Sequence, residues 1–474
     1  MPQLVSILAL LVYFVILIYL GFKDRQAKSS SDYFFAGQKL PFWALSITFI
    51  ASWWGAGSAL SSADLAFAEG LGAFWYYGVP VLLSSLMIFL LSGAIRRLPY
   101  KTQGEMMEAR YSPLIGRLIS WFILLFMTFA AASQVVGVGK FFSDYLNISY
   151  EAAAIIGTSI VVCYSLFGGF RGVVLTDIIQ FVLLLLSALI VFFAAWKHAP
   201  GLGEIAEIAA RRGNADYLAF FSRWQDYVAY VLSFSLAWAV QANIWQRVTA
   251  AKSVRDARLM SFLSFILFIP LYLIVVWTGI FAIASYSEVP VAGIIPALVS
   301  NQLSPVLASL VFVGISAAIM STMDSLINTG ALSLTVDLWQ KHGNAAVRSS
   351  RLATALVSGV ALLIGLKIRS ILEITWIASD FITTGTLIPL VMGFVWRRGN
   401  SKGALASIIV GFLYTIFHLA VSLGMPIDLP YELHSAGQIG LGLAISLTTY
   451  ILFSLLTPAE YERADAFIKF TMKK

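Results

Sequence analysis

The chain has 474 residues, 59% of them hydrophobic and 12% charged, with a mean hydropathy of +0.85. Soluble domains run at roughly 25% charged residues, so a soluble enzyme or binding module is excluded, and the absence of strand-length alternation excludes an outer-membrane barrel. The net charge of +7 raises nucleic acid as a partner, but the placement of the basic residues assigns it to membrane topology, as shown below.

Thirteen apolar segments are long enough to cross a bilayer. They run over 4–22, 41–66, 72–95, 113–139, 150–168, 173–196, 226–246, 259–285, 305–338, 351–366, 370–396, 403–424 and 437–456. The first is too long for a signal-peptide core and is kept as a span. With the N-terminus outside, 24 of the 31 Lys and Arg residues fall on the inner side, among them Arg25, Lys28, Arg247, Lys473 and Lys474. The positive-inside rule therefore puts the N-terminus outside and the C-terminus in the cytoplasm, in the plasma (inner) membrane. Ile205 to Arg212 reads as an amphipathic outer helix and Gly104 to Tyr111 as a short helix in the inner interface. Cys163, the single cysteine, cannot form an internal disulfide and is expected to be a small packing residue. One membrane domain covers 1–474.

Two spans are interrupted near mid-depth. The second contains Ala51-Ser52-Trp53-Trp54-Gly55-Ala56-Gly57-Ser58, and the seventh contains Gln241-Ala242-Asn243-Ile244-Trp245-Gln246. Non-helical backbone is tolerated in a bilayer only where it is buried in protein or lines a cavity. Secondary transporters use such breaks in corresponding halves. The breaks lie five spans apart, the offset of an inverted pair formed by 41–196 and 226–396. Glycine-mediated close packing is the alternative for Gly55 and Gly57.

The ninth span carries Ser321, Asp324, Ser325 and Asn328 at i, i+3, i+4 and i+7, hence on one helix face. Hard cations take oxygen ligands, and polar groups inside a membrane face a bundle interior or a water-filled path. Helix-interface packing is the bland alternative for the hydroxyls alone. A second buried acid, Asp177, follows Phe167-Gly168-Gly169-Phe170-Arg171 in the sixth span, with pairing to Arg171 as its structural alternative. Asp380 is the deeper acid of the eleventh span, and Glu373 lies near its outer end. Trp53, Trp54, Phe129, Trp238 and Trp245 are candidates to line a solute pocket, against the alternative of packing or interface anchoring.

Several of these stretches resemble the sodium:solute symporter family. They are Ser31-Asp32-Tyr33-Phe34-Phe35-Ala36-Gly37, Ala51-Ser52-Trp53-Trp54-Gly55, Phe167-Gly168-Gly169, Thr176-Asp177-Ile178-Ile179-Gln180, Gln246-Arg247-Val248 and Ala317-Ala318-Ile319-Met320-Ser321-Thr322-Met323-Asp324-Ser325. The resemblance implies an all-α polytopic membrane protein of LeuT-type 5+5 inverted repeat. One extra helix (4–22) precedes the repeats and two more (403–456) follow them. It implies sodium-coupled uptake of a small polar, zwitterionic or cationic solute, with sodium as the coupling ion, the lipid bilayer as surroundings and no obligate protein partner. Carried over by position, the family's conserved sodium site uses Ala51, Trp54, Ala318, Ser321 and Thr322. A second site, for sodium or a proton, maps to Asp177, Asp324 and Ser325. The closest pattern is that of the high-affinity choline transporter branch, whose aromatic cage suits a quaternary ammonium. Trp53 matches one cage position, whereas Gln241 and Phe129 replace tryptophans.

The competing classes are an intramembrane enzyme using Asp177 and Asp324 as a carboxylate pair, and a transporter-like channel or sensor. The four histidines, His198, His342, His418 and His434, are scattered and form no zinc motif.

Overall fold

The computed structural model describes residues 2–23, 30–341, 343–422, 425–433 and 435–472. Arg25, Lys28, Lys473, Lys474, His342 and His434 lie outside the described residues. Within them the chain is helical apart from an isolated bridge between Leu40 and Ala251. The principal helices are α1 (Pro2–Lys23), α2 (Phe42–Trp53), α3 (Ser62–Glu69), α4 (Phe74–Arg97), α5 (Pro113–Leu146), α6 (Tyr150–Lys197), α7 (Val228–Ala239) and α8 (Ala242–Ala250). They continue as α9 (Val254–Phe281), α10 (Pro305–Leu332), α11 (Gly343–Lys367), α12 (Ile371–Gly385), α13 (Leu387–Val395), α14 (Ser401–Ser422), α15 (Ala436–Leu456) and α16 (Tyr461–Met472). By length and apolarity alone, nine helical stretches among the described residues qualify as spans, or ten when the bent pair α12 and α13 is taken as one.

Local chemistry sets the helix ends. The α5 helix begins with Ser112 accepting the Ile115 N–H and with Pro113, whose missing N–H costs nothing in a first turn. It stops at Asn147, which adopts the left-handed conformation (φ 54°). Gly169 breaks α6 at φ +53° and ψ −166°, separating the apolar runs expected at 150–168 and 173–196. A Cβ there would sit 2.8 Å from the Tyr33 carbonyl oxygen.

The α10 helix is the centre of the molecule. It packs against α6, α5 and α1, and every residue from Val311 to Leu332 is buried. Its polar stripe therefore faces protein. At the C-terminal end of the second predicted span, residues 214–227 fold over the corner between α3 and α4. The Tyr217 hydroxyl lies 2.9 and 2.8 Å from the carbonyls of Ala66 and Phe67, Leu71 donates to the Tyr217 carbonyl at 2.8 Å, and Trp75 donates to the Phe220 carbonyl at 2.9 Å.

Two local expectations change. The short helix read as interfacial (Gln103–Arg110) is docked into the protein, with Met106, Met107 and Arg110 buried. Its Arg110 guanidinium caps the chain reversal after α13, donating to the carbonyls of Gly393, Trp396 and Gly399 at 2.9–3.0 Å. Cys163 is exposed and does not pack in the core. The amphipathic helix expected at 205–212 forms at Leu202–Arg211.

Gly169→Ala should destabilise the protein, because a side chain pays about 1–2 kcal/mol in the left-handed region and here also meets Tyr33. The expected readout is a lowered melting temperature of the purified protein. An unchanged melting temperature would contradict the assigned backbone geometry.

Candidate sodium and solute sites

The first break is built by small residues meeting large ones. Helix α2 ends at Trp53, Trp54 turns out of helical geometry (φ −89°, ψ 59°), and the chain re-enters through a wide turn at Gly57–Ser61 before α3. A Cβ on Gly55 would lie 2.3 Å from Gln134 Oε1. Only glycine lets this amide enter the gap, where its oxygen accepts the Ala56 N–H at 2.9 Å. Ser58 completes the turn, 3.2 Å from the Trp53 carbonyl and 2.6 Å from the Tyr272 hydroxyl.

The last carbonyls of a helix lack partners within it. The Ala51 carbonyl finds them on α10: Ser321 Oγ donates to it at 2.8 Å and Thr322 Oγ1 at 3.2 Å. The same hydroxyls lie 2.9 and 3.3 Å from the Ala318 carbonyl. Four of the five residues expected at the conserved sodium site thus converge as buried oxygens with no nitrogen among them, a donor set that fits a hard cation. Trp54 stands at the break and lines a small cavity with Ala318, but no hydrogen bond joins it to the other four.

The second expected site is different. Asp177, Asp324 and Ser325 do meet, together with a basic residue expected in the inner flank of the seventh span. Arg247 is fully buried. Its Nη2 lies 2.8 Å from Ser325 Oγ, 2.9 Å from Thr48 Oγ1 and 3.4 Å from Asp177 Oδ2. Its Nη1 donates to the Asn243 carbonyl at 2.9 Å, and the guanidinium stands 5.4 Å from the Phe170 ring centre. Thr48 also donates to Asp177 Oδ2. Ser325 passes the chain on to Asp324 Oδ1 (3.3 Å), whose other oxygen accepts from Tyr164 at 2.8 Å. The ion-pair partner of Asp177 is therefore Arg247, not Arg171.

The second break falls between α7 and α8, with Gln241 extended (φ −66°, ψ 121°). It is tied to α10 as well, because Gln246 bonds Asn328 at 3.2 Å and Thr329 at 3.0 Å. Between the two breaks lies a small cavity of about 60 Å³, lined by Trp53, Trp238 and Gln241 together with Tyr77, Phe126 and Gln134. The Trp53 indole donates to Gln241 Oε1, and the Trp53 and Trp238 rings stand 6.0 Å apart. Thr322 reaches the same cavity, which joins it to the oxygen cluster. No Asp, Glu, Lys or Arg is among its lining residues.

Phe129 and Trp245 do not line this cavity. Phe129 packs 6.2 Å from Phe381, and Trp245 bonds the Ala239 carbonyl and packs on Phe394. Asp380 lies away from it too, bonded by Gln438 at 3.3 Å, and Glu373 is exposed. Sequence reasoning missed Tyr77, Phe126 and Gln134. The only hint was that Gln134 is an isolated amide in the apolar run 113–139.

Two helices broken inside an apolar bundle, facing each other across an aromatic cavity with an oxygen cluster at its edge, define the class of secondary transporters with discontinuous helices. Residues 33–411 match the sodium:solute symporter family. The chain belongs to that family, whose members are transporters driven by sodium and not enzymes. It is 23% identical over 479 residues to the sodium/glucose cotransporter of Vibrio parahaemolyticus, covering 89% of this chain and 86% of the relative. It is 24% identical to high-affinity choline transporter 1 of Caenorhabditis elegans, covering 92% and 82%. Relatives named for a sugar and for choline thus match at similar identity. Among solved structures, a substrate-bound, outward-open Na+-coupled sialic acid symporter, described as revealing a novel Na+ site, shares the fold. The TM-score is 0.79 at 17% identity, with 96% and 98% of the two chains covered.

Gly55→Ala should displace the Gln134 amide and weaken solute binding by roughly tenfold or more, about 1.4 kcal/mol. Binding to the folded variant checks this, and unaltered affinity would remove Gln134 from the site.

Proposed function

We propose that this chain takes up a small polar solute, zwitterionic or cationic, together with sodium by alternating access. In this reading thirteen helices cross the plasma membrane, with 41–196 and 226–396 as inverted five-helix halves and the N-terminus outside. The observation that carries it is the convergence of the Ala51 and Ala318 carbonyls with the Ser321 and Thr322 hydroxyls at the first break. Sodium held there, with Trp54 as the fifth residue, ties the broken helix to α10. An ion shifts a conformational equilibrium only by binding one state better. Bridging two elements that move relative to one another supplies that difference.

The solute class follows from the cavity. Ring faces of Trp53, Tyr77, Phe126 and Trp238 attract an ammonium or quaternary nitrogen. Gln241 and Gln134 supply hydrogen-bonding groups. With no Asp, Glu, Lys or Arg in the lining, a solute finds no ionic partner of either sign, and the ring faces favour a positive group over a negative one.

Proteoliposomes with an imposed sodium gradient should accumulate a zwitterionic or cationic solute. A thermal-shift panel of betaines, choline, amino acids, sugars and monocarboxylates identifies which one. A matching solute at 100 times its Kd stabilises by about 2.7 kcal/mol, and does so only with sodium present. Ser321→Ala combined with Thr322→Ala should abolish sodium-dependent uptake and the sodium-dependent shift. Uptake that survives this double substitution would sink the site assignment.

A further inference from the structure

The pocket formed by Asp177, Thr48, Ser325 and Asp324 has the oxygen chemistry of a second cation site, and the cation in it belongs to the protein. One nitrogen, Arg247 Nη2, takes up both Ser325 Oγ and Asp177 Oδ2, two of the oxygens that a second sodium ion needs. The other nitrogens are also engaged: Nη1 with the Asn243 carbonyl and Nε with Thr48 Oγ1 at 3.2 Å. Arg247, Asp177 and Asp324 are all fully buried. No solvent screens a metal ion from the guanidinium, and a like charge placed on shared ligands is repelled. Asp177 Oδ1 has no hydrogen-bond partner, but one open oxygen does not make the shell of several oxygens that a hard cation takes, so the residues present do not fit a free ion while Arg247 is in place. Arginine keeps its charge under all ordinary conditions, so the occupancy does not lapse with pH.

We propose that the Arg247 guanidinium is the resident cation of this pocket, and that the chain consequently carries one sodium ion per solute, bound at the Ala51–Ser321 cluster. This rests on the sodium-coupled reading above and fixes its stoichiometry. It also gives α8, the helix that starts at the second break, a role as carrier of a tethered charge. Asn243 and Arg247 sit one turn apart on α8, and that turn points the guanidinium at Asp177 on α6 and Ser325 on α10.

The test uses the full chain reconstituted in proteoliposomes. The reversal potential of solute flux under defined sodium and solute gradients gives the ion-to-solute ratio. A sodium titration of the melting temperature gives a Hill coefficient independent of transport. For the unaltered protein both should be about one. Arg247→Gln frees the pocket, and its Hill coefficient should rise toward about two. Adding Asp177→Asn to it should return the coefficient to about one, because the carboxylate that would hold the second ion is gone. A ratio of about two in the unaltered protein overturns the inference while leaving sodium coupling intact, as does an Arg247→Gln protein that still titrates with a coefficient of about one. If Arg247→Gln does not fold, the ratio of the unaltered protein decides. Absence of any sodium dependence overturns both this inference and the reading beneath it.

Discussion

A peptide carbonyl that has lost its helical partner inside a membrane must find another, since leaving it bare costs several kcal/mol. At Ala51 that requirement is met by two hydroxyls on the most buried helix of the molecule, and much else follows from it. Helix α10 has to sit at the centre to offer Ser321 and Thr322. Gly55 has to lack a side chain so that Gln134 can satisfy the Ala56 N–H on the other side of the gap. A site built to satisfy a backbone is in this way already a site of oxygens suited to a small cation.

The second polar cluster shows the opposite balance. Here a protein charge, not a backbone group, takes the oxygens. Two unit charges about 4 Å apart repel by about 4 kcal/mol at an effective dielectric of about 20. Removing one member of a buried ion pair costs about 3–5 kcal/mol, so Asp177 and Arg247 hold each other in place across α6 and α8. Asp324 joins them through Ser325. The stripe on α10 is consequently divided along its length: Ser321 and Thr322 face the first break, Ser325 the guanidinium, and Asn328 and Thr329 face Gln246 on α8.

What the sequence revealed was whatever a single helix encodes. The 3.6-residue spacing placed Ser321, Asp324, Ser325 and Asn328 on one face, and that face is buried against protein. The interruptions at Gly55 and Gln241 were visible because glycine and amides are out of place in an apolar run. Partners from distant segments were not visible. Arg247 ends an apolar segment, where a basic residue normally marks the interface, and no local pattern separates that from a guanidinium turned inward. Gln134 is one amide in an apolar helix, with only the adjacent Ser133 beside it, too little to form a pattern. Aromatic residues misled for the same reason: Trp245 and Phe129 are as large and apolar as Trp53 and Trp238, and only the fold decides which rings meet the cavity. The short helix at Gln103–Arg110 has interfacial composition, yet Arg110 is drawn inside by three carbonyls that the chain reversal after α13 leaves exposed.

The segment 214–227 has a mechanical meaning. It is the chain between α6 and α7, and it grips the corner after α3 through Tyr217, Leu71 and Trp75. The second part of the first broken helix is thus strapped to the linker that leads into the second broken helix. A short, hydrogen-bonded tether runs from α3 to the start of α7 without crossing the cavity. The two broken helices are therefore joined at this end through the chain itself, apart from anything that binds between them.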